Sequence, residues 1–406
     1  MPVVMKKIPE PAWRPAPPVM FRWLVALMAF LVTGVLVSRF FGLHPDNAYY
    51  WFFPVVVSTV VWGGLGILRL MFYFLQHIQA NAWDIRREEK ILQETRRGRR
   101  ALQILSAEFI TAHSVFKDDC FSLSPETLLR NESVLFSHPT RQGVDNVQHS
   151  RIGDRGNVNM SSEDILAKSF SSLLSPLSSL MSRLPVNNTI AVLFESSTSI
   201  PTKHIQEHWQ KAWEKNDIQQ SVEYVQGSGL SFIDQWLDTR IQDNAVLLVI
   251  ALQIAPEHTD KSCEAVVALL LGNRLTQNVL SPIALLHRPQ QSGSDELAEG
   301  VMQSAYWVPI LPEGSKPAGL WLSALPDDGF SSVIPLSGKF PLSEITPDSG
   351  INNLDNSAGF AGCASPWLAI AAAARSAQQS QQRQMIINGE SAVSTLWSTI
   401  VSPVTP

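Results

Sequence analysis

Cysteine is scarce in this chain: Cys120, Cys263 and Cys363 are the only three in 406 residues, widely spaced and without a CxxC pair. This excludes a disulfide framework, offers no zinc ligand set and agrees with a reducing compartment. Net charge is also low, at −5, and the arginines gather in one short stretch, leaving the remainder acidic. No basic surface for nucleic acid is therefore indicated. Complete catalytic motifs are missing too: the chain has no GxSxG, P-loop, dinucleotide fingerprint or HExxH, so it calls for no metal or cofactor. Asn131-Glu-Ser, Asn159-Met-Ser and Asn187-Asn-Thr have the form of glycosylation sequons, but a cytoplasmic location makes them chance matches.

What the chain does have is two apolar runs near its start, Trp23 to Ser38 and Tyr49 to Leu68. A bilayer core needs about 20 helical residues, and Arg22 and Arg39, which bound the shorter run, can snorkel to the interface. Tyr49, Tyr50 and Trp51 resemble an interfacial aromatic belt, and Arg69 falls at the far end of the second run. The connection Gly42 to Asn47 is too short for a domain. Lys6, Lys7, Arg14 and Arg22 precede the hairpin, and Arg86, Arg87, Lys90, Arg96, Arg97, Arg99 and Arg100 follow it as a basic collar. The positive-inside rule then places both termini in the cytoplasm, with the collar facing anionic lipid. A cleaved signal peptide is a poor alternative, because a second span follows at once and no small-residue cleavage pattern is present. Gly63-Gly64-Leu-Gly66 permits close helix contact, which makes a second copy of the chain a candidate partner.

The organisation expected is a tail over 1–19, a transmembrane hairpin over 20–75, a basic helical stalk over 76–117, an irregular linker over 118–184 and a cytoplasmic α/β domain over 185–406. The stalk reading rests on Ile78, Trp83, Ile91, Leu102, Leu105 and Phe109, spaced as on a helix that continues to about Ser114. Helix resumes near Ser162, capped by Ser161 or Ser162. Beyond Pro185, strands at 189–194, 221–225, 245–254, 264–271 and 282–286 alternate with helices at 201–215 and 230–241, the pattern of an α/β domain with a mostly buried sheet. Gln290 to Glu296 reads as a surface loop, followed by a helix over 296–306. The run Ser365-Pro-Trp-Leu-Ala-Ile-Ala-Ala-Ala-Ala-Arg reads as a helix packed on a sheet, and 392–401 as a closing strand.

Chemistry-bearing candidates are few. Gly227-Ser228-Gly229 is a strand-to-helix turn that could hold a nucleophile at Ser228. Cys363 lies near a helix start, where a dipole could lower its pKa, and His287-Arg288-Pro289 ends a strand and could bring a cation to a site. His204 and His208 share a helix face without the zincin glutamate, so they read as solvated. Asp234, Asp238 and Asp243 read as a charged outer face with a cap.

Two resemblances follow from these segments. Gly227-Ser-Gly-Leu-Ser-Phe-Ile, Ala245-Val-Leu-Leu-Val-Ile-Ala, Glu264-Ala-Val-Val-Ala-Leu-Leu-Leu and Gly359-Phe-Ala-Gly-Cys-Ala-Ser-Pro-Trp-Leu-Ala-Ile-Ala together resemble the second half of a thiolase or ketoacyl-synthase scaffold. That family carries a nucleophilic cysteine at the turn where this chain has Gln226 or Gly227, and its catalytic histidine motifs find no match here. The resemblance thus implies a degenerate scaffold without condensation chemistry. The hairpin, Ala82-Trp-Asp-Ile-Arg-Arg-Glu-Glu-Lys, Gln93-Glu-Thr-Arg-Arg-Gly-Arg-Arg, Trp236-Leu-Asp and Leu271-Gly-Asn-Arg-Leu-Thr-Gln are similar to inner-membrane proteins associated with bacterial type VI secretion clusters. This implies an inner-membrane location and a partner among secretion-apparatus or effector proteins. The expectation is a non-enzymatic accessory or adaptor protein; the alternative is a membrane-anchored enzyme acting on an acyl or lipid substrate.

Overall fold

The computed structural model describes residues 8–404 apart from 47, 142, 144–145, 156–159, 310–315, 327–328, 348 and 391–394. Lys6, Lys7, Asn47, Asn159 and the first residues of the expected closing strand lie outside the described residues. The chain divides into a helical unit, Val4–Glu94, and an α/β unit, Thr95–Pro406.

In the helical unit, α1 (Met20–Phe40) and α2 (Ser58–Gly98, whose last turn falls in the α/β unit) are joined through a 3-10 turn, Ala48–Trp51, and a π stretch, Phe52–Val57. Met20–Phe40 and the continuous helical stretch Tyr49–Gly98 are each long and apolar enough to cross a membrane, and their apolar windows are almost entirely unburied. α1 touches the π stretch backbone to backbone where Gly34 meets Pro54: a Cβ on Gly34 would lie 2.5 Å from the proline Cα. Polar groups inside the pair are satisfied across it, Ser58 Oγ donating to the Phe30 carbonyl at 2.9 Å and Trp62 Nε1 to that of Trp23 at 2.8 Å. Tyr50 departs from the expected belt. It is buried in the hairpin, while Tyr49 and Trp51 are exposed. Gly63, Gly64 and Gly66 make no close contact within the chain: nothing lies within 4 Å of a Cβ on any of them.

The α/β unit is built on one sheet of eleven strands. Its first half comprises β1 (Ala101–Thr111), β2 (Ile190–Ser196), β3 (Val222–Val225), β4 (Val246–Gln253) and β5 (Ala265–Asn273), in the order β3-β2-β4-β5-β1. Its second half comprises β6 (Ala284–His287), β7 (Gln290–Gly293), β8 (Pro317–Ser323), β9 (Ile351–Asn353), β10 (Arg383–Glu390) and β11 (Thr395–Pro403), in the order β9-β8-β10-β11-β6, with β7 also paired to β11. Both halves use parallel pairs for their first three positions and antiparallel pairs for the rest. One topology therefore occurs twice. The halves join where β1 pairs antiparallel with β6, Ala101 opposite His287.

Strand alternation sorts the core into layers. Leu247, Val249 and Ala251 of β4 join a central cluster, whereas Val246, Leu248 and Ile250 face an outer one with α3 (Ser162–Met181) and α4 (Thr202–Lys215). In the second half Trp321 and Ile386 face the central cluster, while Leu320, Leu322 and Ile387 face the other outer cluster with α6 (Leu297–Trp307). Two helices, α5 (Gly229–Thr239) and α7 (Ser365–Ser380), fill the central layer. The alanine run of α7 is explained by this position: Ala369 and Ala371 to Ala374 are fully buried because sheet residues crowd the helix on more than one side.

The expected stalk ends early. Ala101–Thr111 is the central strand β1, not the end of a helix, so the α/β unit begins near Thr95 instead of 185. A bulge between Ile104 and Ser106 shifts the side-chain phase, putting Leu102, Ile104, Ala107 and Phe109 on one face and Leu105 and Ile110 on the other. That shift gives a strand spacings that imitate a helix. The expected linker is likewise partly structured: α3 packs on the sheet, with Ser161 Oγ accepting the Asp164 N–H at 3.1 Å, and small hairpins pair at 116–121 and 136–149. Gln290–Gly293 is a strand and not a surface loop, because it pairs with β11.

Candidate functional site

The parallel strands of both halves deliver their C-terminal ends to one place, where ligands generally bind in open α/β sheets. There α5 and α7 start beside one another, around a cleft of about 160 Å³ lined by Glu195, Ser228, Gly229, Cys363, Pro366 and Asn388 among others. Ser228 and Cys363 are thus brought together from residues far apart in sequence. His287 is not: it is 1% exposed, with Nε2 2.8 Å from Ser402 Oγ, and it does not line the cleft. Burial, reinforced by the charges of Arg383 and Arg274, pushes the His287 pKa down to about 3, so the imidazole is neutral.

Cys363 lies just before a helix start, but its thiol is displaced in the other direction. Burial pushes its thiol up to about 11, against the hydrogen bond from Ser197, and the nearby Glu195 carboxylate adds to the rise. The sulfhydryl donates to the Leu252 carbonyl at 3.5 Å. It is a protonated packing group at neutral pH, not a thiolate. Ser228 caps α5 by position alone; its side chain makes no capping bond, and its carbonyl accepts the Ser231 hydroxyl at 2.7 Å. Beside it the turn is filled: a Cβ on Gly227 would lie 2.2 Å from the Phe232 ring. Among the described residues that line the cleft there is no histidine or other base paired with either candidate.

Glu195, at the end of β2, is the residue that the sequence reading passed over. Its Oε1 accepts the Gly229 N–H and the Trp367 indole N–H, each at 3.0 Å, so one carboxylate ties the start of α5 to α7. Burial nevertheless raises its pKa, outweighing the two donors. An acid ending an otherwise apolar strand was the available signal.

Further along α5, Asp234 and Asp238 depart from their outer-face reading, whereas Asp243 stays at the surface beside Arg240. Arg288 is fully buried, with Nε donating to Asp234 Oδ1 at 2.7 Å and a second guanidinium nitrogen 2.8 Å from Asp238 Oδ1. Arg97 also pairs with Asp238, its carbonyl accepts from Arg288 at 2.9 Å, and Arg100 donates to the Leu237 carbonyl. Two arginines assigned to a lipid-facing collar are therefore structural, whereas Arg96 and Arg99 are exposed. Burial raises the Asp238 pKa, but hydrogen bonds from Arg97 and Arg288 prevail and hold it at about 2. Elsewhere in the collar and hairpin Arg22, Arg39 and Arg86 are exposed, and Arg69 and Arg87 are half-buried, with Arg87 donating to the Pro9 carbonyl. His204 pairs with Glu163 on the surface.

No family model matches this sequence, and no curated protein does. Solved structures do. The ishigamide ketosynthase/chain length factor is 11% identical, with a TM-score of 0.50 over 75% of this chain and 100% of its own. A PfaC keto synthase-chain length factor gives 10% identity and a TM-score of 0.49 over 75% of this chain, which spans 43% of that longer protein. Human mitochondrial 3-ketoacyl-CoA thiolase gives 7%, 0.47, 76% and 100%. The α/β unit thus has a thiolase/ketosynthase-like fold. At such identities the likeness extends to the fold and not to the chemistry.

Proposed function

We propose that this chain is a non-enzymatic protein-binding module on a thiolase-like scaffold, anchored in a membrane by its N-terminal hairpin. The observation that carries the reading is the state of the cleft: its one thiol is held protonated by burial, and the space beside the α5 turn is filled by Phe232. In finer detail, the proposed setting is a bacterial inner membrane with both termini cytoplasmic, and the partner a component or effector of a type VI secretion system, as the sequence resemblance implies. The two apolar helices support an anchor.

The test is affinity capture with the full chain from detergent-solubilised membranes, beside an assay for turnover of acyl thioesters. Capture of one specific secretion-related protein, retained by a Ser228→Ala/Cys363→Ser variant, supports the proposal. Thioester turnover that this double variant abolishes would overturn it in favour of an acyl- or lipid-directed enzyme, and capture of nothing specific counts against the adaptor.

A further inference from the structure

In the helical unit, apolar side chains on α2 continue well past the residues that a bilayer would cover. Gly64, Met71, Ile78, Ile85 and Leu92 recur every seven residues, and Val61, Leu68, Leu75 and Ala82 precede the first four by three. These are the d and a positions of a heptad. Every large side chain of the set is bare: Met71 is 53% exposed, Ile78 64%, Ile85 57% and Leu92 56%. Ile78, Ile85 and Leu92 stand among Gln76, His77, Gln79, Asp84, Arg86, Arg87, Glu88 and Glu89, where no lipid tail would explain them.

The rest of this unit packs on a different face. α1 hydrogen-bonds to Trp62 and Ser58, and the tail docks on Asn81, Trp83, Asp84 and Arg87: Ala12 N–H donates to Asp84 at 2.9 Å, Arg14 reaches Asn81 and Asp84, and the Glu10 and Pro9 carbonyls accept from Trp83 and Arg87. In the heptad register these are b, c, e, f and g positions, and none of these hydrogen bonds uses an a or d residue. A strict seven-residue repeat also drifts about 20° per heptad around a straight helix, so it becomes a continuous seam only when two helices supercoil.

We infer that two copies of this chain pair through the a and d positions of α2, in parallel and in register. A second copy is the occupant because it carries the same repeat, and the same membrane insertion gives it the same direction. From Val61 to Leu92 the seam spans about 46 Å, roughly eight helical turns of continuous contact. Like charges do not oppose one another at the flanks: Arg86 at e faces Asn81 at g, and Glu88 at g faces Gln93 at e. Glu89, at an a position, is the one polar break; in register it faces its own copy, a like-charge contact that costs stability and that Glu89→Leu would relieve. Gly64 continues the seam into the span with open space above it, allowing close backbone approach.

The test is disulfide trapping in native membranes, using the full chain with Cys120 and Cys363 changed to Ser and buried Cys263 retained. Ile78→Cys or Ile85→Cys should yield cross-linked dimer about tenfold faster than Gln76→Cys or Lys90→Cys at b positions, since only facing Cβ atoms meet the geometry of a disulfide. In detergent, light scattering should show a dimer that Ile78→Asp/Ile85→Asp converts to monomer and Glu89→Leu tightens. Equal trapping at all four positions, or a monomer for the unaltered chain, overturns the inference.

Discussion

Helices α5 and α7 hold equivalent places in the two halves of the α/β unit, each following the edge strand of its half, β3 or β9, and entering the central layer, yet their buried sides differ in kind. α7 buries a run of alanines on all sides. α5 buries Leu230, Ile233 and Trp236 but also Asp234, which neutralises the enclosed Arg288. The difference teaches that a charge can occupy a central helix where a matching guanidinium and a carbonyl arrive from neighbouring segments, here Arg288 and Arg97. Along the alanine run of α7 small side chains suffice, because sheet lies on more than one side, and the polar ties fall at either end of that run, Trp367 to Glu195 and Arg375 to Glu108.

The comparison breaks most severely at Asp234. Asp234→Ala would leave the Arg288 guanidinium buried without its first partner and should cost about 3–5 kcal/mol in denaturant unfolding, whereas Asp234→Leu/Arg288→Met should recover most of the loss. A single-variant loss under 1 kcal/mol would show that the pair is solvated. On α7, Ala372→Leu forces extra volume into a filled layer and should cost about 1–3 kcal/mol by the same measurement.

Titration sharpens the contrast further. Asp238 has a folded-state pKa depressed to about 2, so its contribution is present above the ordinary carboxylate range and is lost as pH falls toward 2; Asp238→Asn should flatten the acid limb of a stability profile. Asp355 is displaced the other way. Burial raises it to about 6 despite the N–H groups of Ala324 and Leu325, so the folded state binds its proton more tightly, and this group favours folding at low pH and progressively less as pH rises from about 4 to 6. Asp355→Asn should remove that slope from Tm measured across the same window. The smallest effect concerns the cleft between the two helix starts: in the folded chain iodoacetamide should modify exposed Cys120 first, and Cys363 only slowly until pH approaches 11.

The sequence by itself determined the features whose signal is local. The apolar hairpin, the buried strands β2, β4 and β5, and the alanine helix α7 each announce themselves within one continuous segment, because the solvent a segment meets selects its own side chains. The second-half strands β8, β9 and β10 escaped notice, since runs such as Arg383-Gln-Met-Ile-Ile-Asn-Gly-Glu carry buried polar residues whose partners come from elsewhere, as Gln384 and Asn388 do with Trp321 and Ser323. Tertiary structure alone decided that β1 is a strand, that Asp234 faces Arg288, and that Ser228 and Cys363 share a cleft with Glu195. Each depends on groups about thirty or more residues apart. Pairing, burial and proton affinity at such sites are set by what the fold brings alongside, which no single stretch of chain contains.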